Sequence, residues 1–396
     1  MKSGKPAEGG KSVAAVSVMM KPASGLCNMA CDYCFYCDES RKRERASYGM
    51  MSEETLRNVI RRTMLNASGE ISFAYQGGEP SLRGLDFYRK AVEFQKHYNR
   101  SGLRVHNAFQ TNGYALDESW CRFFTENRFL VGLSVDGTRE THDLYRHDPS
   151  GGGTFDRVAK TAAMFDRHGV EYNILTVVTG NTAEHIREIY RAYRERSWRY
   201  QQYIVCLDPL GEERGSSGYS LTPEKYGRFL CDLFSLWHAD FARGDAPCVR
   251  QFENWIGILL GYPPEACDQR GVCGVQYVVE ADGSVYPCDF YMLDEYRLGN
   301  FNTDKFADIS ARRKEIGFVE RSAGLKRECL DCRWHFLCRG GCQRHRETVP
   351  GENAYENYYC QGYRMFFEQC HKALEQIALS VKRRQAAMLR QDGGRK

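Results

Sequence analysis

The chain has 396 residues, enough for two or three domains with cores of their own. Hydrophobic residues make up 42% and charged residues 27%, which excludes a disordered chain. Fifty-five Lys and Arg against 51 Asp and Glu leave +4, too balanced for a nucleic-acid or membrane partner.

In chain order, short β-rich runs alternate with helical patterns from residue 13 to 207. The strand candidates are 13–20, 71–76, 105–111, 130–136, 171–178 and 203–207. Most are near-continuous apolar runs, as expected of parallel strands buried on both faces. A helix opens at Ser52 with Leu56, Val59, Ile60 and Met64 at helical spacing, and another covers 154–168 with Val158, Ala162 and Phe165 on one face. Six such β–helix units in series predict an α/β fold, an open partial (β/α)6 barrel with function at the C-terminal ends of its strands. A Gly- and Ser-rich loop follows at 211–218. Then comes a helix from Thr222-Pro223 carrying Phe229, Leu233 and Trp237. Between Cys267 and Cys360 eight cysteines fall in 94 positions with little helical periodicity, so metal sites are expected to hold that region together. From Lys382 the end is basic and reads as a solvated tail. There is no internal repeat.

Seventeen cysteines dominate the chemistry. No apolar h-region opens the chain and no apolar run reaches the roughly 20 residues of a membrane helix. The expected compartment is the reducing cytoplasm, where thiols serve metal or redox chemistry rather than disulfides. The first constellation is Cys27, Cys31 and Cys34, spaced C-x3-C-x2-C in the loop after the first strand. Three thiolates there suit a [4Fe–4S] cluster with one iron left open. A zinc loop is the alternative, with Cys37 as fourth ligand. Gln76-Gly77-Gly78-Glu79-Pro80 ends the second strand. Alone it would be a turn; its glycines admit close backbone approach, and its carboxylate could pair with an ammonium. The second constellation is Cys267, Cys273, Cys288, Cys329, Cys332, Cys338, Cys342 and Cys360. By spacing alone, four of these could equally form a zinc ribbon.

Taken together, the cysteine loop and the Gly-Gly-Glu-Pro turn resemble the radical S-adenosylmethionine superfamily, and the second constellation resembles its SPASM extension. Lys21-Pro22-Ala23-Ser24, Cys34-Phe35-Tyr36, Gln110-Thr111-Asn112-Gly113, Cys206-Leu207-Asp208-Pro209 and Tyr286-Pro287-Cys288-Asp289-Phe290-Tyr291 narrow the likeness to the anaerobic sulfatase-maturating enzymes. The resemblance implies three [4Fe–4S] clusters and S-adenosylmethionine as cofactors. It implies one cluster on Cys27, Cys31 and Cys34, a second on Cys267, Cys273, Cys288 and Cys342, and a third on Cys329, Cys332, Cys338 and Cys360. It also implies S-adenosylmethionine contacts at Tyr33, Gly78, Ser134, Arg146 and Leu207, with the Gly-Gly-Glu-Pro turn receiving the cofactor's amino group. The implied activity oxidises Ser or Cys in a C/S-x-P/A-x-R sulfatase motif to Cα-formylglycine, with Asp289 as general base. The implied partners are an unfolded sulfatase polypeptide and an electron donor such as flavodoxin or ferredoxin.

The expected division is a tail at 1–12, the radical S-adenosylmethionine barrel at 13–215, a helical linker at 216–266, the SPASM domain at 267–380 and a basic tail at 381–396. Six cysteines stay outside the clusters: Cys37, Cys121, Cys206, Cys231, Cys248 and Cys370. Of these, Cys121, Cys231 and Cys370 sit in helical patterns as small hydrophobes. Ser134 and Asp136 could merely make a turn, Arg146 could lie on the surface, and Tyr33 and Tyr36 could simply pack. Two other functions compete. One is a SPASM enzyme that crosslinks or epimerises a ribosomally made peptide, for which the 26 residues before Cys27 leave no room for a leader-binding domain. The other is a non-catalytic zinc-ribbon protein, which near-neutral charge and the Gly-Gly-Glu-Pro turn oppose.

Overall fold

The computed structural model describes residues 13–393. Six strands, β1 (Val13–Met20), β2 (Ala67–Tyr75), β3 (Arg104–Thr111), β4 (Phe129–Ser134), β5 (Tyr172–Val178) and β6 (Tyr200–Val205), lie side by side in chain order, all parallel. Helices between them cover one face: α1 (Phe35–Arg41) and α2 (Glu53–Met64), α3 (Leu85–Tyr98), α4 (Glu118–Glu126), α5 (Phe155–His168) and α6 (Ile186–Glu195). The sheet does not close on itself. It is the partial barrel that the alternation of elements predicts.

The strands differ from the expectation in one respect. Val16, Val18 and Met20 of β1 are buried while Ala15 and Ser17 are exposed, and Ile71, Phe73 and Tyr75 of β2 are buried while Ser72 and Ala74 are not. The large side chains of the buried face join Leu56, Val59, Ile60, Phe87 and Phe124 of the helices in one core. The other face carries Ser17, Ser72, Ala74, Gln110, Gly132 and Ser134 and stays partly open. An unclosed barrel leaves its inner face as a trough, so the period-2 alternation of a one-sided sheet returns.

The cysteine-rich region extends this same sheet. Strands β8 (Tyr277–Val279), β9 (Ser284–Tyr286) and β10 (Gly299–Asn300) follow β7 (Cys248–Val249), which pairs with β6. Strand β8 runs parallel to β1 with Val18 opposite Tyr277 and Met20 opposite Val279, and β9 and β10 continue antiparallel beyond it. Strand β1 therefore lies between the barrel and the cysteine-rich region, with its C-terminal end facing both.

Helix α7 (Pro223–Arg243) starts at a Thr222 cap, whose hydroxyl accepts the Lys225 N–H at 3.3 Å, and α8 (Arg250–Leu259) follows. Helix α9 (Cys360–Gly393) packs along α7 and runs on to Gly393, so the expected tail is helical there, with residues 382–387 exposed as a solvated tail would be. Residues 1–12 and 394–396 lie outside the described residues. The α7–α9 crossing is a backbone contact: a Cβ on Gly362 would stand 2.5 Å from the Pro223 carbonyl oxygen, and one on Gly227 2.9 Å from Gly362 Cα. Gly362→Val should therefore destabilise the protein by about 1–3 kcal/mol through overpacking. Thermal unfolding checks this; an unchanged midpoint would contradict the contact.

Candidate active site

The loop after β1 carries Cys27, Cys31 and Cys34. Cys31 is anchored because its two-residue strand pairs Cys31 with Arg146. Burial pushes the Cys27 thiol up to about 11 and that of Cys31 up to about 12. Arg146 opposes the shift at Cys31, while the neighbouring thiols reinforce it. Cys27 Sγ accepts from the Met29 N–H at 3.4 Å and from the Asn112 amide at 3.6 Å. Cys37, on the first turn of α1, donates its thiol hydrogen to Cys34, which pulls Cys34 down to about 6. Among the described residues, no three Cys, His, Asp or Glu side chains converge as the ligands of a single metal ion do. Three thiols on one loop fit three irons of a [4Fe–4S] cluster and leave the fourth without a protein ligand.

The Gly-Gly-Glu-Pro turn lies directly on this loop. Gly78 has φ +50°, and a Cβ there would stand 2.0 Å from the Leu26 carbonyl oxygen, which accepts the Glu79 N–H at 2.8 Å. Glu79 points inward and is 1% exposed. Its oxygens accept from the Ser81 N–H at 3.0 Å, the Thr111 hydroxyl at 2.9 Å and the Asn112 N–H at 2.8 Å. The carboxylate fastens the ends of β2 and β3 together.

Asp136 plays the same part at the end of β4. It accepts from Arg146 Nε at 2.8 Å and Nη2 at 3.4 Å, from the Val177 N–H at 2.8 Å, and from the Tyr33 hydroxyl. Arg146 is buried, not on the surface, and stands over the Tyr33 ring at 5.4 Å from its centre. Tyr33 packs edge-on against Tyr145 and Tyr219. Ser134 ends β4, facing the trough, and Leu207 is buried just beyond β6.

The eight later cysteines fall into two sets. Cys288 is half-buried, with Cys342 and Cys273 as neighbouring thiols, and Cys342 has Cys267 and Cys273. Cys338 has Cys360, Cys329 and Cys332. Burial raises Cys338 and Cys342 each to about 12.

Asp289 follows Cys288 directly, on a short 3-10 turn over Asp289–Tyr291 that Phe290 seats against Phe35 of α1 at 4.9 Å between ring centres. The residue is buried. Three elements aim donors at its carboxylate. Tyr36 of α1 places its hydroxyl 2.7 Å from Oδ1 and 2.9 Å from Oδ2. Gln76, just past β2, donates Nε2–H to Oδ2 at 3.0 Å. Lys21, just past β1, places Nζ on Oδ1 and on the Tyr36 hydroxyl. Sequence reading did not collect these three side chains; a lysine and a glutamine at the ends of adjacent apolar strands were the available signal. A carboxylate offers about four lone-pair sites. Tyr36 has one proton for its two short contacts, so Lys21, Tyr36 and Gln76 fill three sites and leave one for an incoming thiol or hydroxyl.

Behind Asp289 lies Glu39 of α1, buried, with Oε2 lacking a hydrogen-bond partner. Burial first, and the charge of Asp289 next, raise its carboxyl from 4.5 to about 9. It is neutral at pH 7 and does not compete with Asp289 for the Lys21 charge. Glu280 does not compete either, being paired with Arg43 at 2.8 Å. A group protonated in the fold but ionised in the unfolded chain costs stability as pH rises between those two values. Glu39→Gln should therefore raise the thermal midpoint relative to the natural chain, with a gain absent near pH 4.5 and growing toward pH 9. A gain that does not change with pH would contradict it.

The comparisons with known proteins accord with this geometry. Residues 22–193 match the Radical SAM superfamily and residues 271–333 match the SPASM family, described as an iron-sulfur cluster-binding domain. A cysteine-type anaerobic sulfatase-maturating enzyme of Clostridium perfringens is 44% identical over 93% of this chain and 99% of its own length. The chain belongs to the anaerobic sulfatase-maturating enzymes. The serine-type enzyme of Bacteroides thetaiotaomicron is 33% identical over 89% of this chain and 88% of its own. Among solved structures, native anSMEcpe with bound AdoMet superposes at a TM-score of 0.87, at 44% identity over 92% of this chain and 100% of that one. No helix among the described residues is long and apolar enough to cross a membrane.

Proposed function

We propose that this chain oxidises a cysteine of a sulfatase-type C-x-P/A-x-R peptide to Cα-formylglycine, with Asp289 as the base. The observation that carries the reading is Asp289 itself: a buried carboxylate next to a proposed auxiliary-cluster ligand, held by three donors and keeping one acceptor site. Cysteine is preferred over serine because the cysteine-type relative is the more similar, at 44% against 33% identity. Cys27, Cys31 and Cys34 would hold the first [4Fe–4S] cluster. Cys267, Cys273, Cys288 and Cys342 would hold the second, and Cys329, Cys332, Cys338 and Cys360 the third. Tyr33, Gly78, Ser134, Arg146 and Leu207 would line the S-adenosylmethionine site. These cofactors, when bound, supply removal of a hydrogen atom from the substrate Cβ and acceptance of one further electron.

The chain's own part is positioning and proton transfer. The inner face of the sheet, where Ser72, Gln110 and Ser134 are partly exposed, would seat an extended peptide over the strand ends. The target thiol then takes the vacant site on Asp289, which removes its proton as the carbon–sulfur double bond forms. Water releases the aldehyde and hydrogen sulfide. Lys21, Gln76 and Tyr36 hold the carboxylate's other lone pairs, so the proton has one place to go. A cytoplasmic location and a flavodoxin or ferredoxin as electron donor complete the proposal.

Anaerobic incubation with a Cys-x-Pro-x-Arg peptide, S-adenosylmethionine and reductant tests it. Mass spectrometry should find the aldehyde, formed faster from the cysteine peptide than from its serine counterpart. An unmodified, crosslinked or epimerised peptide alongside cleaved S-adenosylmethionine would overturn it.

A further inference from the structure

Lys21 does more than fill one lone pair of Asp289, for its surroundings are built around it. It is 1% exposed, one of the largest fully buried side chains in the molecule. Its backbone is fixed on both sides: the Lys21 N–H donates to the Val279 carbonyl at 2.8 Å, and the Met20 carbonyl accepts the Gln76 N–H at 3.0 Å. Its stem passes where a side chain on Gly77 would be, since a Cβ there would stand 2.2 Å from Lys21 Cδ. The first glycine of the Gly-Gly-Glu-Pro turn thus clears the path for this lysine, and the second clears the contact with the cysteine loop. At the tip, Nζ meets Asp289 Oδ1 and the Tyr36 hydroxyl and lies 4.1 Å from the centre of the Tyr36 ring.

An ammonium taken this far out of water is tolerated only with a partner. Of the acids that face it, Glu39 is protonated and Glu280 is bound to Arg43. A cavity with room for about one water, roughly 10 Å³, borders Lys21, Tyr36, Glu39 and Arg43. The charge of Lys21 is committed to Asp289.

We infer that Lys21 is a positioning residue: it reaches from the end of β1 to the cysteine-rich region's Asp289, fixes Oδ1, and so turns Oδ2 and the vacant lone pair toward the substrate. The inference rests on Asp289 being the base. Fixing one oxygen matters because the carboxylate rotates about its bond to Cβ, and a freely turning group presents its vacant site only part of the time.

The test measures formylglycine formed per 5′-deoxyadenosine released, in Lys21→Met and Lys21→Ala beside Asp289→Asn. Both lysine variants should keep their iron and go on releasing deoxyadenosine. Their aldehyde per deoxyadenosine should fall by about 10- to 100-fold, the worth of a hydrogen bond to a charged group. Ethylammonium added to Lys21→Ala should restore much of the ratio by refilling the vacated space with a cation, whereas ethanol should not. A natural ratio in Lys21→Met would overturn the inference. So would equal loss of both products without rescue, or loss of the clusters in both variants, since either assigns Lys21 to folding. If Asp289→Asn keeps full aldehyde yield, it is the reading of Asp289 as base that fails; if only the lysine variants keep it, the positioning role fails alone.

Discussion

Asp289→Asn should keep its iron and its substrate binding while formylglycine formation falls by about 10²–10⁴-fold, the usual worth of general base catalysis. The amide preserves size and can still accept from Lys21 and Tyr36 through its oxygen. The nitrogen that replaces the other oxygen donates where the substrate needs an acceptor. Release of 5′-deoxyadenosine should continue, because the groups around Tyr33, Asp136 and Arg146 do not include Asp289. The loss should be greater for a serine peptide, since a hydroxyl is a weaker acid than a thiol. Wild-type aldehyde yield with intact clusters would remove Asp289 from the mechanism.

Replacing Cys27, Cys31 and Cys34 together by Ala should abolish deoxyadenosine release altogether. It should also remove about four of about twelve irons from the reconstituted protein, on the stoichiometry of three [4Fe–4S] clusters. The eight other cysteines lie in separate sets, so the remaining irons should stay. Iron analysis and absorption spectra read both effects. Stoichiometric zinc with no iron in the natural chain would contradict the reading of all eleven thiols.

Much of this was legible in the sequence for reasons that can be named. The six strands of the barrel were readable because each is followed by a helix whose apolar spacing differs in period. Leu56, Val59, Ile60 and Met64 of α2, all buried, are the clearest case. The cysteine spacings and the Asp after Cys288 were readable as motifs. Other features were not. Tyr277–Val279 is three residues long, and its pairing with β1 joins segments more than 250 residues apart; no local pattern announces that. The trough was misread because a strand with Val and Met on one face and Ala and Ser on the other looks continuous when small residues count as apolar. Arg146 reads as a partner for the cofactor's carboxylate, but its pairing with Asp136 depends on where the end of β4 meets the strand carrying Cys31. Lys21 illustrates the limit most plainly. As a sequence feature it is a lysine before a proline, ordinarily a solvated strand end, and only the convergence of β1, the Gly-Gly-Glu-Pro turn and the Asp289 turn buries it.

The most direct measurement uses a substrate peptide whose target cysteine carries two deuteriums on Cβ. If the hydrogen leaves that carbon as an atom while Asp289 takes the thiol proton, one deuterium appears in the recovered 5′-deoxyadenosine and the other stays in the aldehyde. Full aldehyde formation with deuterium-free deoxyadenosine would contradict the account.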